Sequence, residues 1–156
     1  MVISQYIGDK RTFAIEVRVT RSIASPWGNL RIWLDSKYIG AYEDECPMLV
    51  TLATLKRIPD LKASGEAFGC SPDVVFNDLH SDRIEGGDRY RLGLGESFDD
   101  FSVIGFCDDR NATFVWAIRE DPFFTYPDYP VGVHSATVPL DFFKNAVSGF
   151  EEFIRP

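Results

Sequence analysis

The stretch Phe13-Ala14-Ile15-Glu16-Val17-Arg18-Val19-Thr20 decides the fold. Phe13, Ile15, Val17 and Val19 fall on one side of a period-two ladder, and Ala14, Glu16, Arg18 and Thr20 on the other. A sheet with one buried face requires that alternation. Downstream, Ser25-Pro26-Trp27-Gly28 reads as a turn, because proline presets φ and glycine supplies positive φ. Leu30, Ile32 and Leu34 then alternate with Arg31, Trp33 and Asp35 as a second strand. Asp35-Ser36-Lys37 reverses the chain into a third strand over 38–42. These connections are too short for parallel crossovers, so the pairing is antiparallel.

Helical punctuation follows. Acidic Glu43, Asp44 and Glu45 precede Pro47, which suits a first helical turn. Met48, Leu49, Leu52, Leu55 and Ile58 recur at helical spacing, Lys56 and Arg57 complement the C-terminal dipole, and Pro59 ends the run. Ser71 as N-cap, Pro72 at the first position, Asp73 in the first turn and the stripe Val75, Phe76, Leu79 predict a second, shorter helix. The polar chain from His80 to Arg89 carries Gly86-Gly87 and reads as a loop.

The C-terminal half returns to strands. Tyr90, Leu92 and Leu94 alternate with Arg91, Gly93 and Gly95, 101–107 is nearly continuously apolar, and Ala112, Phe114, Trp116 and Ile118 alternate again. Asp108-Asp109-Arg110-Asn111 makes a hairpin tip between the last two. Residues 122–130 are rich in proline and aromatics and suit an extended, irregular segment lying against the body. A last strand fits 133–138. From Asp141, Phe142, Phe143, Ala146, Val147, Phe150, Phe153 and Ile154 recur at three- and four-residue steps. Gly149 interrupts that helix at about 1 kcal/mol relative to Ala, which makes sense where another element approaches closely. The expectation is a single α+β domain over 1–156 with a mostly antiparallel sheet of about six to seven strands and about three helices.

Composition narrows the classes. Hydrophobic content of 45% with 13 Phe supports a packed core and argues against disorder. No window reaches the ~20 apolar residues of a bilayer span, and the first residues lack the basic and apolar regions of a secretory signal, so a cytoplasmic protein is expected. Three scattered cysteines (Cys46, Cys70, Cys107) are expected as free thiols, with no CxxC or HxxxH spacing for a metal. A formal net charge of −8 disfavours nucleic acid and anionic membranes and favours basic partners.

Candidate chemistry is sparse. A pairing of His80 or His134 with Cys107 or Ser135 has no motif behind it, since no elbow such as GxSxG surrounds a serine and no cysteine has a family-type flank. Cys107 lies in an apolar strand, where a buried thiol is the ordinary outcome. Leu92-Gly93-Leu94-Gly95 lacks a third glycine and a following helix, and Glu96, Asp99 and Asp100 would repel phosphate.

Acidic pairs are more informative: Asp99-Asp100 and Asp108-Asp109 flank one strand, Glu43-Asp44-Glu45 ends another, and Asp82, Glu85 and Asp88 line the Gly-Gly loop. They read either as solvated turn acids or as a phosphate-mimicking surface that docks on a basic protein. Trp33 falls on the face opposite Leu30, Ile32 and Leu34, with Tyr38 and Tyr42 on its side. It is either an interface anchor or, if both faces are covered, core.

The stretch IGDKRTFAIEVRV followed by SPWGNLRIWLDSKYIGAYED resembles the N-terminal half of a bacterial polymorphic-toxin immunity family, immunity protein forty-two. The resemblance is carried by Ile7-Gly8-Asp9, Phe13-Ala14-Ile15, the Trp-bearing strand, and Asp35, Lys37, Ile39 and Gly40 of the following hairpin. Tyr129-Pro130-Val131-Gly132-Val133-His134-Ser135 and Val138-Pro139-Leu140 are similar to its tail. It implies a small cytosolic protein made beside a contact-delivered or secreted toxin, which binds the toxin's effector domain and blocks it, as in contact-dependent growth inhibition. No catalytic residue or cofactor comes with the family.

The expected partner is therefore a cognate toxin domain. The acidic charge suits one with a basic, nuclease-like cleft, whose counterion positions an inhibitor can fill. The candidate contact residues are Trp33, Tyr42, Glu43, Asp44, Asp99, Asp100, Asp108 and Asp109. The rival reading is a small hydrolase or nucleotide-processing enzyme using paired carboxylates.

Overall fold

In the computed structural model, residues 4–22, 24–63, 66–69, 71–81 and 86–155 are described; Cys70, Asp82 and Glu85 lie outside them. Among these residues, eight strands form two antiparallel sheets, with three α-helices. The first sheet holds β1 (Ser4–Asp9), β2 (Phe13–Arg21), β3 (Trp27–Leu34) and β4 (Lys37–Ile39) in that order, with β5 (Glu45–Pro47) also pairing β3. Helix α1 (Met48–Arg57) and helix α2 (Pro72–His80) come next. The second sheet is β6 (Phe101–Cys107), β7 (Asn111–Ile118) and β8 (His134–Pro139), and α3 (Leu140–Ile154) closes the chain.

The sequence logic survives at most elements and fails at a few for identifiable reasons. β6, β7 and the Asp108–Asn111 tip fall where alternation puts them, and Asp35 and Ser36 both take positive φ in the β3–β4 hairpin, as a two-residue mirror-image turn demands. The third strand is shorter than 38–42, because Gly40 turns away at φ 108° under the Phe98 ring. Pro47 caps α1 rather than starting it. The Tyr90–Gly95 alternation does not make a strand: 87–90 is a 3₁₀ turn, and only Arg91 bridges β6, at Ile104. Gly28 serves close approach, not a positive-φ turn; a Cβ there would lie 1.9 Å from the Arg18 carbonyl oxygen across the β2–β3 ladder.

Helix α3 lies across both sheets. Phe143 meets Phe13 of β2 edge-on at 5.0 Å and Phe114 of β7 at 5.8 Å, and Phe13 and Phe114 themselves stack at 5.9 Å. Leu140, Phe143, Val147, Phe150 and Ile154 are buried at three- and four-residue steps. Gly149 admits Ile7 of β1, whose Cγ2 would sit 3.0 Å from an added Cβ. The opposite face of the first sheet carries the cross-strand pairs Ala14 with Trp33 and Glu16 with Arg31. It is covered by its own side chains, so Glu16, on the polar side of the ladder, is only 5% exposed. Its carboxylate accepts from Arg31 Nε at 2.8 Å and Trp33 Nε1 at 2.9 Å.

One irregular segment, 122–130, straps the two sheets together at the edge of that face. Asp100, 2% exposed, accepts from the backbone N–H of Phe123 at 2.7 Å and of Phe124 at 3.0 Å, and from the Tyr126 hydroxyl at 2.8 Å. At the other end the Tyr129 hydroxyl accepts from Trp116 Nε1 (2.9 Å) and donates to the Tyr38 carbonyl of β4 (2.6 Å). Burial pushes the Tyr129 hydroxyl up to about 12, so it stays a donor at any neutral pH.

Two stability effects follow from these contacts. Gly28→Ala drives a methyl into backbone and should cost about 3 kcal/mol, read as a lower urea midpoint at unchanged m-value. An unchanged midpoint contradicts the close approach. For Asp100, burial alone would raise the pKa, but the two N–H donors, the Tyr126 hydroxyl and Arg119 hold it below the ordinary carboxylate value. The unfolded chain therefore takes up the proton first. The stabilisation is complete above about pH 4 and is lost as pH falls through the depressed folded value. Asp100→Asn should cost about 2 kcal/mol at neutral pH, and the gap between variant and wild type should close in acid urea titrations. A gap that widens as pH falls contradicts the assignment.

Candidate functional site

Two concavities adjoin the strap, and three chain segments build them. The β4–β5 loop docks on the 3₁₀ turn Glu96–Phe98 through Ala41 N–H to Ser97 O at 2.7 Å and Ser97 Oγ to Asp44 O at 3.1 Å. That contact sets Asp44 beside Glu96 and Asp99. The strap then lays Phe123 and Phe124 against them. The result is a cleft of about 380 Å³ lined by Asp44, Glu96, Ser97, Asp99, Asp100, Phe123 and Phe124. Phe123 is 76% exposed, rare for so large an apolar side chain, and the Arg119 guanidinium lies 5.4 Å over its ring. Among the described residues, Glu43, Asp44, Glu96 and Asp99 have no basic partner within ion-pair distance.

The second concavity is a groove of about 390 Å³ between the strap and the open face of the first sheet. Arg18, Arg31, Tyr38, Tyr42, Glu43 and Tyr126 are among its walls. Trp33 packs edge-on to Tyr38 at 5.5 Å, and Arg31 lies 4.9, 4.6 and 5.3 Å over the rings of Trp33, Tyr38 and Tyr42. Lys10 also sits 4.4 Å over the Trp33 ring. Trp33 is therefore half-buried under cations, an intermediate between exposed anchor and core.

The acids read from the sequence separate into three environments. Glu43, Asp44 and Asp99 reach the surface of the two concavities. Asp100 lines the cleft, but its carboxylate is committed to the strap. Asp108 and Asp109 stand at the far end of β6, roughly 25 Å from Asp100 by strand rise. The Asp108 carboxylate accepts from Arg110 N–H and Asn111 N–H, both at 2.7 Å, and these backbone donors hold it below the ordinary carboxylate value. The Asp109 side chain is fully exposed, 3.7 Å from Lys62 Nζ.

Glu96, Phe123, Arg18 and Arg31 complete these surfaces and escaped the sequence reading. Glu96 and Phe123 each stood in a segment recognised for another property, the Gly-rich run and the aromatic strap. The arginines alternated as an ordinary solvent face.

Other reactive groups are quiet. Cys46 and Cys107 are free and buried, and burial pushes both thiols up. His80 Nδ1 pairs with the Phe76 carbonyl at 2.9 Å and stacks on the Phe76 ring, and His134 Nε2 pairs with the Pro130 carbonyl at 2.8 Å. Among the described residues, no group of three or more His, Cys, Asp or Glu is placed to hold a metal ion, and no helix is long and apolar enough to cross a membrane.

The profile of the Immunity protein 42 family matches residues 1–153, nearly the whole chain. No curated protein matches it. Among solved structures, CdiI from Burkholderia dolosa AUO158 has the same fold, with a TM-score of 0.64 at 17% identity over 94% of this chain and 97% of that one. With the family profile spanning both sheets, all three helices and both concavities, the chain belongs to the Immunity protein 42 family.

Proposed function

We propose that this protein is an immunity protein that binds a cognate secreted or contact-delivered toxin domain in the cytoplasm and neutralises it by covering its active site. The observation that carries this reading is the family match over residues 1–153. The fold shared with a CdiI, the immunity component of a contact-dependent growth inhibition system, supports the contact-delivered form. The acidic cleft supplies the means. Unpaired carboxylates of Asp44, Glu96 and Asp99 line the cleft with an exposed phenyl ring, so a basic surface gains charge complementarity and an apolar anchor together. A nuclease-type toxin, whose cleft is built to hold phosphates, fits that surface. The paired acids do not favour the hydrolase reading, because Asp100 and Asp108 are both engaged as acceptors that shape loops.

Inhibition then rests on two separable contributions. Long-range attraction steers the encounter, and the ring of Phe123 slows release. Two outcomes test them on the toxin domain encoded beside this chain. The wild-type chain should protect cells expressing that domain, and cells that die despite a soluble immunity protein overturn the reading. In stopped-flow mixing, raising salt across the physiological range should cut the association rate constant by about tenfold, with little change in dissociation. Asp44→Asn with Asp99→Asn should flatten that salt dependence, whereas Phe123→Ala should speed dissociation by about thirtyfold, as expected for loss of a ~2 kcal/mol anchor. A salt-independent on-rate removes the electrostatic part.

A further inference from the structure

We propose that the groove over β3 and β4 receives a carboxylate side chain of the toxin domain, gripped by Arg18 and Arg31 between tyrosine rings. This inference rests on the immunity reading and adds a second contact, opposite in charge to the acidic cleft. Arg18 is the key observation. Its Nε and Nη2 donate to Asn29 Oδ1 at 3.0 and 2.8 Å, and buried Asn29 is itself fixed by donating to the Tyr42 carbonyl at 2.8 Å. The guanidinium is thus held rigidly, half-buried, against a neutral acceptor. Among the described residues no carboxylate lies within ion-pair distance of it. The nearby buried acid, Glu16, is engaged with Arg31 and Trp33.

Arg31 offers more donors to the same space. Only its Nε is used internally, on Glu16, and its side chain is 25% exposed. The two guanidiniums flank one ring, at 5.9 and 5.3 Å from the Tyr42 centroid, while Tyr38 and Tyr126 wall the groove. A guanidinium has five N–H donors in a planar fork that matches a carboxylate bidentately. With its Nε and Nη2 on Asn29, Arg18 keeps Nη1 for such a ligand, whose charge compensates a half-desolvated guanidinium that has no carboxylate partner among the described residues.

The rim decides between anions. Glu43 lines the groove without a basic partner, and the whole chain carries −8, so a polyanionic phosphate is repelled more strongly than a singly charged carboxylate. Glu43 further favours a toxin segment that carries a base beside its acid. The volume of about 390 Å³ accommodates an Asp or Glu side chain with its neighbours.

Two measurements test the groove. In the first, Arg18→Met and Arg18→Lys are assayed for binding to the toxin domain encoded beside this chain. Arg18→Met should raise Kd by about tenfold to a hundredfold, and Arg18→Lys should fall between, since it keeps the charge and loses the fork. Wild-type protection together with an unchanged Kd for Arg18→Met overturns the groove contact and leaves the immunity reading intact. In the second, N-acetylglutamate is titrated into the isotope-labelled wild-type protein. Saturable shifts of the Arg18 and Arg31 Nε–H signals support the site even where Arg18→Met fails to fold or the immunity reading fails. No shift, or a stronger response to inorganic phosphate, overturns it.

Discussion

Asp100 carries a full negative charge where almost no water reaches, and the surface built by 122–130 depends on how that charge is satisfied. An ionised carboxylate left unpaired in a protein interior is destabilising by several kcal/mol or gives up its charge. Here three donors from the strap, the N–H groups of Phe123 and Phe124 and the Tyr126 hydroxyl, converge on it. Two prolines bound the strap, its internal backbone bonding is one turn from Tyr129 N–H to Tyr126 O, and the Tyr126 and Tyr129 rings pack on Phe101 and Tyr38. A segment without ladder hydrogen bonds takes one position only when side chains impose it. Asp100 at one end and the Tyr129 hydroxyl at the other do so. Both concavities inherit their shape from that arrangement, since Phe123 and Phe124 wall one and Tyr126 the other.

Elements governed by local pattern were legible in the sequence; those governed by what lands on them were not. β2, β3, β7 and α3 follow simple periodicities in sequence, and β6 is a nearly continuous apolar run buried along its length. Gly149 was readable as a close-approach position, and Ile7 is what approaches. The failures share a cause. Tyr90–Gly95 alternates like a strand, yet it meets β6 only through Arg91 at Ile104 and Leu92 at Val103, while 61–63 meet β6 at Cys107. Glu16 looked solvated until Arg31 and Trp33 folded over it. A period-two pattern says which side chains share a face, but not whether that face stays open.

The same limit governs the candidate site. Asp99 and Asp100 are adjacent and chemically alike in the sequence, and the fold gives them opposite duties. One carboxylate faces solvent beside Asp44, and the other becomes the anchor of a loop more than twenty residues away in the chain. Both residues sit in the turn between the Glu96–Phe98 3₁₀ helix and β6, where neighbouring side chains diverge, so acidity in a pair cannot be assigned to function as a unit. Asp108 and Asp109 divide similarly, one organising the hairpin tip through backbone donors and the other fully exposed. Trp33, Tyr38 and Tyr42 were read as one face, and Arg31 does lie over all three rings, but Tyr38 and Tyr42 wall a groove that also holds Arg18 and Arg31.

An overall charge of −8 therefore hides an internal polarity: unpaired carboxylates around Phe123, and an unpaired guanidinium in the adjoining groove. Under the proposed immunity function, this arrangement favours discrimination among toxins more than raw affinity. Each unpaired charge is tolerated in the free protein because water still reaches it. On docking, that solvent is removed, and only a partner presenting the opposite charge at the same place offsets the loss. A partner that is merely basic would satisfy Asp44, Glu96 and Asp99 while burying Arg18 against another cation, and like charges so placed cost several kcal/mol. Attraction over one concavity and rejection over the other are together what specificity requires, since it is a difference between two affinities. The rigid mounting of Arg18 on Asn29 strengthens that penalty, because a fixed charge cannot swing away from a mismatched surface.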